Sequence, residues 1–339
     1  MAGDSDQGRR VIYLVPGLED VCVRHRVDPF VPALEARGWF VDKWVIPGGF
    51  LGRLGLCRRL WGADVAVVVR RLFRPLQTRL LRLCARRLVF DMDDAVLYRD
   101  SSRRVQESPQ RERRFRRMMR SADRVLAGND YLRKLAEDYG GRATVIPTCV
   151  DDRRLTPGRK HHGGGKVIIG WIGSRSTLMY LESLRPVFEE LGRRYGESVA
   201  LKVVCDAFPK DLGLEVIEKP WALAEELDDL RSFDVGVMPV PDDPWTRGKC
   251  ALKLLQYMAV GIPAVASPVG VANDVILADG ETGFLPKDPD EWVSVLSMMI
   301  EDVEFRESVG MLGRESLRGR YTVADWADRY VRAVEDAAQ

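Results

Sequence analysis

Short apolar runs alternate with stretches of helical spacing along most of the 339 residues. Apolar runs of about four to eight residues between turn residues are typical of buried strands, whereas apolar positions three and four apart predict amphipathic helices. Such alternation predicts parallel sheets covered by helices. The predicted strands cover residues 10–15, 39–46, 65–69, 88–90, 123–127, 144–147, 166–172, 201–205, 216–217, 235–240 and 263–267.

Helical spacing fills most of the intervals between these strands. Residues 99–120 predict a loop that leads into a basic amphipathic helix. Residues 152–166, with Pro157 and the glycine run 163–165, have the composition of a linker. The linker divides the chain into two halves, each a doubly wound α/β unit. The further predicted helices cover residues 27–36, 71–87, 131–139, 178–195, 223–230, 249–260, 288–300, 304–318 and 323–337.

The helix predicted at 249–260 is apolar around most of its circumference, which indicates burial. Lys249, Lys253 and Gln256 are spaced so that they would share one stripe of this helix. Two lysines in the first turns oppose the helix dipole, whose positive end lies there. An anion at that end would offset the conflict, and a phosphate fits best. The alternative is a solvated lysine edge on an ordinary helix.

Residues 257–267, which read Tyr-Met-Ala-Val-Gly-Ile-Pro-Ala-Val-Ala-Ser, carry a resemblance together with Gly270 and with Asp-Gly-Glu-Thr-Gly-Phe-Leu at 279–285. They resemble the C-terminal, donor-binding half of family-4 (group 1) retaining glycosyltransferases, which have the GT-B fold. Members of that family usually carry two glutamates eight positions apart at this helix. Here Gly248 and Gln256 occupy the matching positions. Gln256 would therefore hydrogen-bond the ribose in place of a carboxylate.

The resemblance implies two Rossmann-like domains that face each other across a cleft. We expect an N-terminal acceptor-side domain of residues 1–155, with the final helix, 323–339, packing back on it, and a nucleotide-sugar-binding domain of residues 156–322. The expected activity is that of a hexosyltransferase-type enzyme, which moves a sugar from a nucleotide-diphosphate donor to a saccharide or lipid-linked acceptor with retention. Front-face transfer agrees with the presence of only three histidines, because the leaving phosphate can take the acceptor proton.

Polar residues that follow the strands of the second half are the donor-site candidates. Gly173 and Ser174 precede Arg175 at the start of a helix, where backbone N–H groups, the dipole and a guanidinium converge on a phosphate. The family places a basic residue near this loop. Capping of the helix by Ser174 or Thr177 is the structural alternative, and it is compatible with phosphate binding. Arg175, Lys249 and Lys253 are expected to stabilise the leaving diphosphate, and the other donor candidates are Asp206, Gln256, and the backbone N–H groups of Gly270 and Val271.

The first half supplies the acceptor-side candidates. Gly17 follows the first strand, and Arg24 and Arg26 lie in a region that faces the acceptor in the resembled family; surface charge is the alternative. Asp91, Asp93 and Asp94 follow the strand at 88–90, at the edge where ligands bind in open α/β sheets. We interpret them as acceptor contacts or helix caps. A metal-binding Asp-x-Asp motif belongs to a different glycosyltransferase fold, so we expect no metal and no cofactor.

The charge distribution separates the two halves. Residues 1–150 contain 29 basic and 18 acidic residues, a net charge of +11, whereas residues 151–339 contain 23 and 32, a net charge of −9. The basic half is therefore expected to meet an anionic partner, such as a phosphorylated acceptor or an anionic membrane touched peripherally through the helix at 99–120. Genomic arginine bias, or a merely solvated helix, is the alternative.

Six scattered cysteines without a Cys-x-x-Cys pair predict reduced core thiols, and the polar N-terminus lacks a signal peptide, so we expect a cytoplasmic protein, or one at the inner face of the membrane. Three other functions stay open. The first is another enzyme of the same fold, such as an epimerase or a phosphorylase. The second is a non-catalytic nucleotide-sugar-binding GT-B protein, suggested by the two missing glutamates. The third is a nucleic-acid-binding protein, disfavoured because no recognised motif is present.

Overall fold

The computed structural model of the protein describes residues 8–158, 165–275 and 279–339, apart from the side chains of residues 50, 51, 53, 54 and 57. Residues 159–164, the middle of the predicted linker, lie outside the described residues. The chain forms two compact units. The N-terminal unit comprises residues 1–149, 243–250 and 323–339, and the C-terminal unit comprises residues 150–242 and 251–322. The predicted border at 155/156 differs by six residues from the observed one at 149/150, and residues 243–250 were not foreseen in the first unit.

The N-terminal unit contains a six-stranded, entirely parallel sheet in the order β2-β1-β3-β4-β5-β6. Apolar clusters cover both faces of the sheet, so its central strands are almost continuous apolar runs. The strands are β1 (Arg10–Val15), β2 (Phe40–Val45), β3 (Val65–Val69), β4 (Arg87–Met92), β5 (Arg124–Ala127) and β6 (Ala143–Val145). The helices are α1 (Val21–Arg26), α2 (Val31–Ala36), α3 (Phe50–Leu60), α4 (Pro75–Cys84), α5 (Pro109–Ser121), α6 (Asp130–Asp138) and the final helix α14 (Val323–Ala338).

Helix α14 packs on this N-terminal sheet. The ring of Tyr330 stacks on that of Phe30 with centroids 4.3 Å apart, and its hydroxyl lies 3.0 Å from that of Tyr13 on β1. All three side chains are fully buried. Helix α14 therefore shares one apolar core with β1 and Phe30.

The C-terminal unit contains a five-stranded parallel sheet in the order β11-β10-β7-β8-β9. The prediction of two doubly wound parallel α/β units is confirmed. The strands are β7 (Val167–Ile172), β8 (Val199–Cys205), β9 (Glu215–Pro220), β10 (Val235–Met238) and β11 (Ala264–Ala266). The helices are α7 (Leu178–Glu182), α8 (Arg185–Tyr195), α9 (Glu226–Arg231), α10 (Leu252–Ala259), α11 (Ala272–Val275), α12 (Pro289–Glu301) and α13 (Val303–Leu317).

Several helix boundaries differ from the predicted ones for local reasons. The helix predicted at 178–195 is broken into α7 and α8, because Pro186 in the first turn of α8 lacks the N–H needed to continue a helix. Residues 21–26 form helix α1, which was not predicted, with Asp20 accepting a hydrogen bond from the Cys22 N–H at its start. Helix α3 was not predicted, because glycines and arginines interrupt its apolar spacing.

Candidate functional site

The loop after β7 in the C-terminal unit has the predicted glycine–hydroxyl–arginine arrangement. Gly173 packs so closely on Trp171 that an added Cβ would lie 2.3 Å from the indole ring, which restricts this position to glycine. The N–H of Ser174 donates to the hydroxyl of Thr177 at 3.3 Å, across a short 3-10 turn. This is the capping interaction that the sequence offered as the structural alternative, and it leaves the Arg175 side chain at the surface.

Arg175 and Asp206 link the carboxyl ends of the neighbouring strands β7 and β8. The backbone N–H of Arg175 donates to Asp206 Oδ1 at 2.7 Å, and its Nη2 donates to the Asp206 carbonyl at 3.3 Å. The backbone hydrogen bond from Arg175 holds the pKa of Asp206 below its ordinary value. The guanidinium is 74% exposed and its Nε lies 3.8 Å from the carboxylate, so it can reach an anionic solute.

The predicted lysine stripe is wrong, because α10 starts at Leu252 and not at Lys249. Ala251 before it has a φ of +51°, a left-handed conformation uncommon for residues other than glycine, and Lys249 is extended. Lys253 is in the first turn of α10 and its Nζ lies 5.1 Å from the ring centroid of Trp171. Lys249 belongs to the N-terminal unit, so the two lysines are not on one helix.

Gln256 lies inside the C-terminal unit and faces another side chain. It is 4% exposed, and its Nε2 donates to Glu226 Oε1 at 3.3 Å. Trp221, directly after β9, donates from its indole Nε1 to Glu226 Oε2 at 3.0 Å. Residues 221 and 226 were not among the predicted site residues, and their only sequence signal is a polar pair that follows a strand end.

Gly270 and Val271 precede α11, a helix of four residues. Gly270 has a φ of +57°, which glycine adopts without strain. Its carbonyl accepts a hydrogen bond from Asn273 Nδ2 at 3.2 Å, and Val271 is mostly buried. Their proposed contact with a diphosphate stays a prediction.

The predicted acceptor residues Arg26 and Asp91 form a buried ion pair in the N-terminal unit. Arg26 donates from Nε and Nη2 to the two carboxylate oxygens of Asp91 at 3.0 and 2.8 Å, and each side chain is 1% exposed. The Nη1 of Arg26 donates to the carbonyl of Ile146 at 2.5 Å. These contacts correct the expectation that both residues face a ligand, because their polar groups are turned to one another inside the core.

Asp93 and Asp94 lie beside two basic side chains of the same unit. Arg70 contacts both of them, with its Nε 3.1 Å from Asp93 Oδ1, and Lys249 Nζ lies 3.5 Å from Asp94 Oδ1. Burial raises the pKa of Asp93 despite the opposing effect of Arg70. Arg70 itself has a φ of +57°. Sequence reasoning missed this arginine, which pairs with the carboxylates of Asp93 and Asp94 directly after β4.

Gly17 and Arg24 flank the start of α1. The carbonyl of Gly17 accepts a hydrogen bond from the Asp20 N–H at 3.3 Å, and an added Cβ would meet open space. Arg24 is half-buried in the last turn of α1. Neither residue is excluded as an acceptor contact, and both stay predictions.

Residues 243–250 are held in the N-terminal unit by Asn129. Its Nδ2 donates to the carbonyls of Gly248 and Lys249 at 3.1 and 3.3 Å. At Gly248 an added Cβ would lie 2.6 Å from the Cβ of Ala95, so a glutamate does not fit there. The close packing gives a physical reason for one of the two departures from the resembled family.

Two properties bear on partners. Among the described residues, no group of three or more His, Cys, Asp or Glu side chains is arranged to hold a metal ion. No helix within the described parts of the chain combines the length and apolar character needed to cross a bilayer.

Comparisons with known proteins converge on glycosyltransferases. Residues 214–302 match the family model described as "Glycosyl transferases group 1". The chain is 35% identical over 135 residues to D-inositol 3-phosphate glycosyltransferase of Paenarthrobacter aurescens (strain TC1), covering 38% of this chain and 32% of that protein. It is 40% identical over 88 residues to sulfoquinovosyl transferase SQD2 of Arabidopsis thaliana, covering 25% and 16%. The chain thus matches a third or less of the length of these two relatives.

Solved structures match over almost the whole chain. Anabaena Alr3699/HepE in complex with UDP and glucose covers 97% of this chain and 100% of its own, with a TM-score of 0.70 and 14% identity. A UDP-forming α,α-trehalose-phosphate synthase from Burkholderia vietnamiensis covers the same shares, with a TM-score of 0.69 and 14% identity. At these identities the likeness shows the fold alone, and it confirms the predicted GT-B fold.

Proposed function

We propose that this chain is a glycosyltransferase of group 1 that moves a sugar from a nucleotide-diphosphate donor to an acceptor. One observation carries the proposal. The carboxyl ends of three neighbouring strands, β7, β8 and β9, present Arg175, Asp206 and Trp221 within the unit that contains most of the family match. Ligands bind at this edge of open α/β sheets. The similar Anabaena protein was solved in complex with UDP and glucose, and the Paenarthrobacter relative is a glycosyltransferase, which supports the same conclusion.

The reaction breaks the bond between the sugar C1 and the diphosphate oxygen and forms a bond between C1 and an acceptor oxygen. The acceptor proton passes to the leaving diphosphate. We propose that transfer occurs on the front face, with retention and without a metal or other cofactor. Arg175 and Lys253 would stabilise the charge that develops on the diphosphate. Gly173, Ser174, Gly270 and Val271 would contribute backbone N–H groups. Lys249, which contacts Asp94, has no place in this donor assignment.

The N-terminal unit would hold a saccharide or lipid-linked acceptor. Helix α5 turns Phe115, Met118 and Met119 into the core and leaves Arg113 and Arg117 exposed. This distribution supports peripheral contact with an anionic membrane at its cytoplasmic, inner face. The five cysteines whose side chains are described are free thiols, which agrees with a reducing compartment.

The second candidate is a non-catalytic nucleotide-sugar binder, favoured by the packing of Gly248 on Ala95, which excludes a family glutamate. Binding of UDP, GDP, ADP and dTDP and of their glucose conjugates would be measured by thermal shift and calorimetry, and donor consumption by release of the nucleoside diphosphate. If the first proposal is right, the protein should release the nucleoside diphosphate from its donor both with and without EDTA. Binding of the nucleotide sugar without release of the nucleoside diphosphate favours the second candidate. Release that depends on added manganese contradicts the proposal that no metal is needed.

A further inference from the structure

A groove in the N-terminal unit lies between α14 and the edge of the sheet formed by β5 and β6. Its cavity volume is about 350 Å³, which is within the size range of small-molecule sites. Leu126 on β5 pairs in register with Thr144 on β6, so both side chains lie on the face of the sheet that packs against α14. Strand β6 is the last of the sheet, and Thr144 is exposed, so α14 leaves this part of the face open.

The helical wall of the groove is one stripe of α14. Trp326, Arg329, Ala333 and Asp336 follow one another at intervals of three or four residues, and Arg332 flanks them. The guanidinium of Arg329 lies over the indole ring of Trp326, with its Cζ 4.7 Å from the ring centroid. This contact holds one positive charge at the wall of the groove.

Three arginines and a single carboxylate line the groove, which gives it a net charge of +2. Arg124 is at the start of β5, and Arg332 is exposed on α14. Within the described part of the chain, neither side chain makes a hydrogen bond or an ion pair, and Asp336 is not paired with any of the three arginines. The positive charge of the groove is therefore not balanced by the protein.

Two other acidic residues of α14 differ in this respect. Asp328 pairs with Arg37 at 3.1 Å, and Glu335 pairs with Arg9 at 2.9 Å. These carboxylates are thus neutralised by arginines from the first 40 residues, whereas the arginines of the groove have no carboxylate partner among the described residues. Like charges around one groove repel one another, and an anion bound between them removes that repulsion.

We propose that this groove binds the phosphate group of a small, soluble molecule. Guanidinium groups match phosphate oxygens with paired N–H donors, and the Trp326 wall offers an apolar surface to the rest of the ligand. A concave cavity of this volume fits a small molecule better than the surface of a bilayer. The groove contains none of the donor or acceptor candidates, so the inference does not depend on the proposed glycosyl transfer.

Calorimetry with inorganic pyrophosphate tests the groove at low salt and without divalent cations. Saturating UDP is present so that the donor site is occupied, and the wild type should then bind one pyrophosphate. Arg124→Gln and Arg332→Gln should each weaken this binding about 10-fold or more, the usual effect of losing a hydrogen bond to a charged group. Arg142→Gln removes the same charge from an exposed position next to β6 that does not line the groove, and it should leave the affinity unchanged.

Charge changes of the opposite sign provide a readout that a purely structural role of the arginines would not produce. Asp336→Asn removes the one carboxylate of the groove and should strengthen pyrophosphate binding about fivefold, the effect of one unit charge a few ångströms away in water. Asp328→Asn, the same change at a carboxylate outside the lining, should not strengthen it. Thr144→Glu adds a carboxylate at an exposed position of the strand wall and should abolish binding.

The outcomes separate this inference from its alternatives. A wild type that binds no pyrophosphate under these conditions, or binding that the groove variants leave unchanged, overturns the inference. Equal losses in Arg124→Gln and Arg142→Gln also overturn it, because net charge would then explain the binding. Loss of phosphatidylserine vesicle binding in Arg332→Gln, in a protein that binds no pyrophosphate, would assign the arginines to a membrane instead. If the protein fails to bind UDP but still binds pyrophosphate through Arg124, the proposed function falls and this inference stands.

Discussion

Arg26 and Asp91 form a two-pronged ion pair with hydrogen bonds of 3.0 and 2.8 Å in the interior of the N-terminal unit. Each side chain is 1% exposed, although the two residues lie 65 positions apart in sequence. A pair this deeply buried is costly to break, because removing one partner leaves an uncompensated charge in the core. The pair therefore belongs to the stability of the unit rather than to its ligand chemistry.

Breaking this pair should destabilise the protein strongly. Asp91→Asn is expected to lower the free energy of unfolding of the N-terminal unit by about 3–5 kcal/mol, measured by urea titration. Asp42→Asn, which breaks the half-exposed pair with Arg10, should cost less than about 1 kcal/mol. The double variant Arg26→Met/Asp91→Leu should be more stable than either single variant. A loss for Asp91→Asn as small as that for Asp42→Asn would contradict the buried pair.

Stability should fall at alkaline pH because buried thiols resist ionisation. Burial raises the pKa of Cys149 and of Cys250 to about 12. A pKa that is higher in the folded state means that stability is fully present below the unfolded value, near 9.0, and is lost as the pH rises toward 12. Each thiol contributes a slope of up to about 1.4 kcal/mol per pH unit in that window.

The variant Cys250→Ala should reduce this slope between pH 9.5 and 10.5, measured by urea unfolding. Between pH 7 and 8, where the thiol is neutral in both states, the variant and the wild type should show the same pH dependence. This comparison removes any constant packing cost of the substitution. Equal slopes at alkaline pH would show that Cys250 ionises equally in both states.

Arg175 should matter for diphosphate binding and little for stability. Its side chain is 74% exposed, and surface ion pairs contribute about 0–1 kcal/mol. Arg175→Ala is expected to weaken UDP binding by about 1.5–3 kcal/mol with a nearly unchanged melting temperature. Arg193→Ala is a close control, since that arginine is also 74% exposed and pairs with Glu190. Similar UDP affinities in both variants would remove Arg175 from the donor site.

Lys253 and Lys249 should have separable effects. Lys253→Ala is expected to weaken UDP binding by about 1.5–3 kcal/mol, the usual range for a hydrogen bond to a charged group, and to leave uridine binding unchanged. Lys249→Ala should leave UDP binding unchanged, because this lysine contacts Asp94 in the N-terminal unit. Calorimetry with both ligands provides the measurement. Equal losses of UDP binding in the two variants would indicate that Lys249 and Lys253 both contact the diphosphate, as the sequence suggested.

The basic face of α5 should bind anionic vesicles. Arg113 and Arg117 are exposed, whereas Arg116 is paired with Glu112. Each exposed arginine near an anionic surface contributes about 1 kcal/mol, so Arg113→Gln/Arg117→Gln should lower vesicle binding about 30-fold.

Sedimentation with phosphatidylserine vesicles at low salt measures this, and about 0.5 M salt should release the protein. Neutral vesicles should not bind it. Arg329→Gln/Arg332→Gln removes the same charge from exposed positions of α14 and should bind like the wild type. If both double variants lose binding equally, net charge and not α5 is responsible.

The sheets were predictable from the sequence because a strand buried on both faces must be apolar throughout. Val65–Val69 is the clearest case, with five fully buried residues in a row. Element starts were harder to predict. The extended Lys249 and the left-handed Ala251 delay the start of α10, and neither conformation follows from residue types.

Partners distant in sequence were beyond prediction. The pattern near Asp91 indicated a ligand edge, but Arg26 donates to both oxygens of that carboxylate from another element. In the same way, the sequence singled out Gln256, whereas its hydrogen bond to Glu226 became visible only once α9 and α10 were folded together. Such side-chain pairings depend on tertiary packing, which local patterns do not encode.

The packing of Tyr330 on Phe30 has a consequence for the order of events during synthesis. The N-terminal sheet is synthesised before the C-terminal unit, yet its core stays open until residues 323–339 have emerged, whereas the C-terminal unit needs no residue beyond 322 and can close earlier. The N-terminal unit is thus the first to be synthesised but the last to complete its core. A stop codon before Val323 would leave the C-terminal unit complete and expose the apolar face around Tyr13. Such a truncation would therefore destabilise the N-terminal unit, although the deleted residues follow the C-terminal unit in sequence.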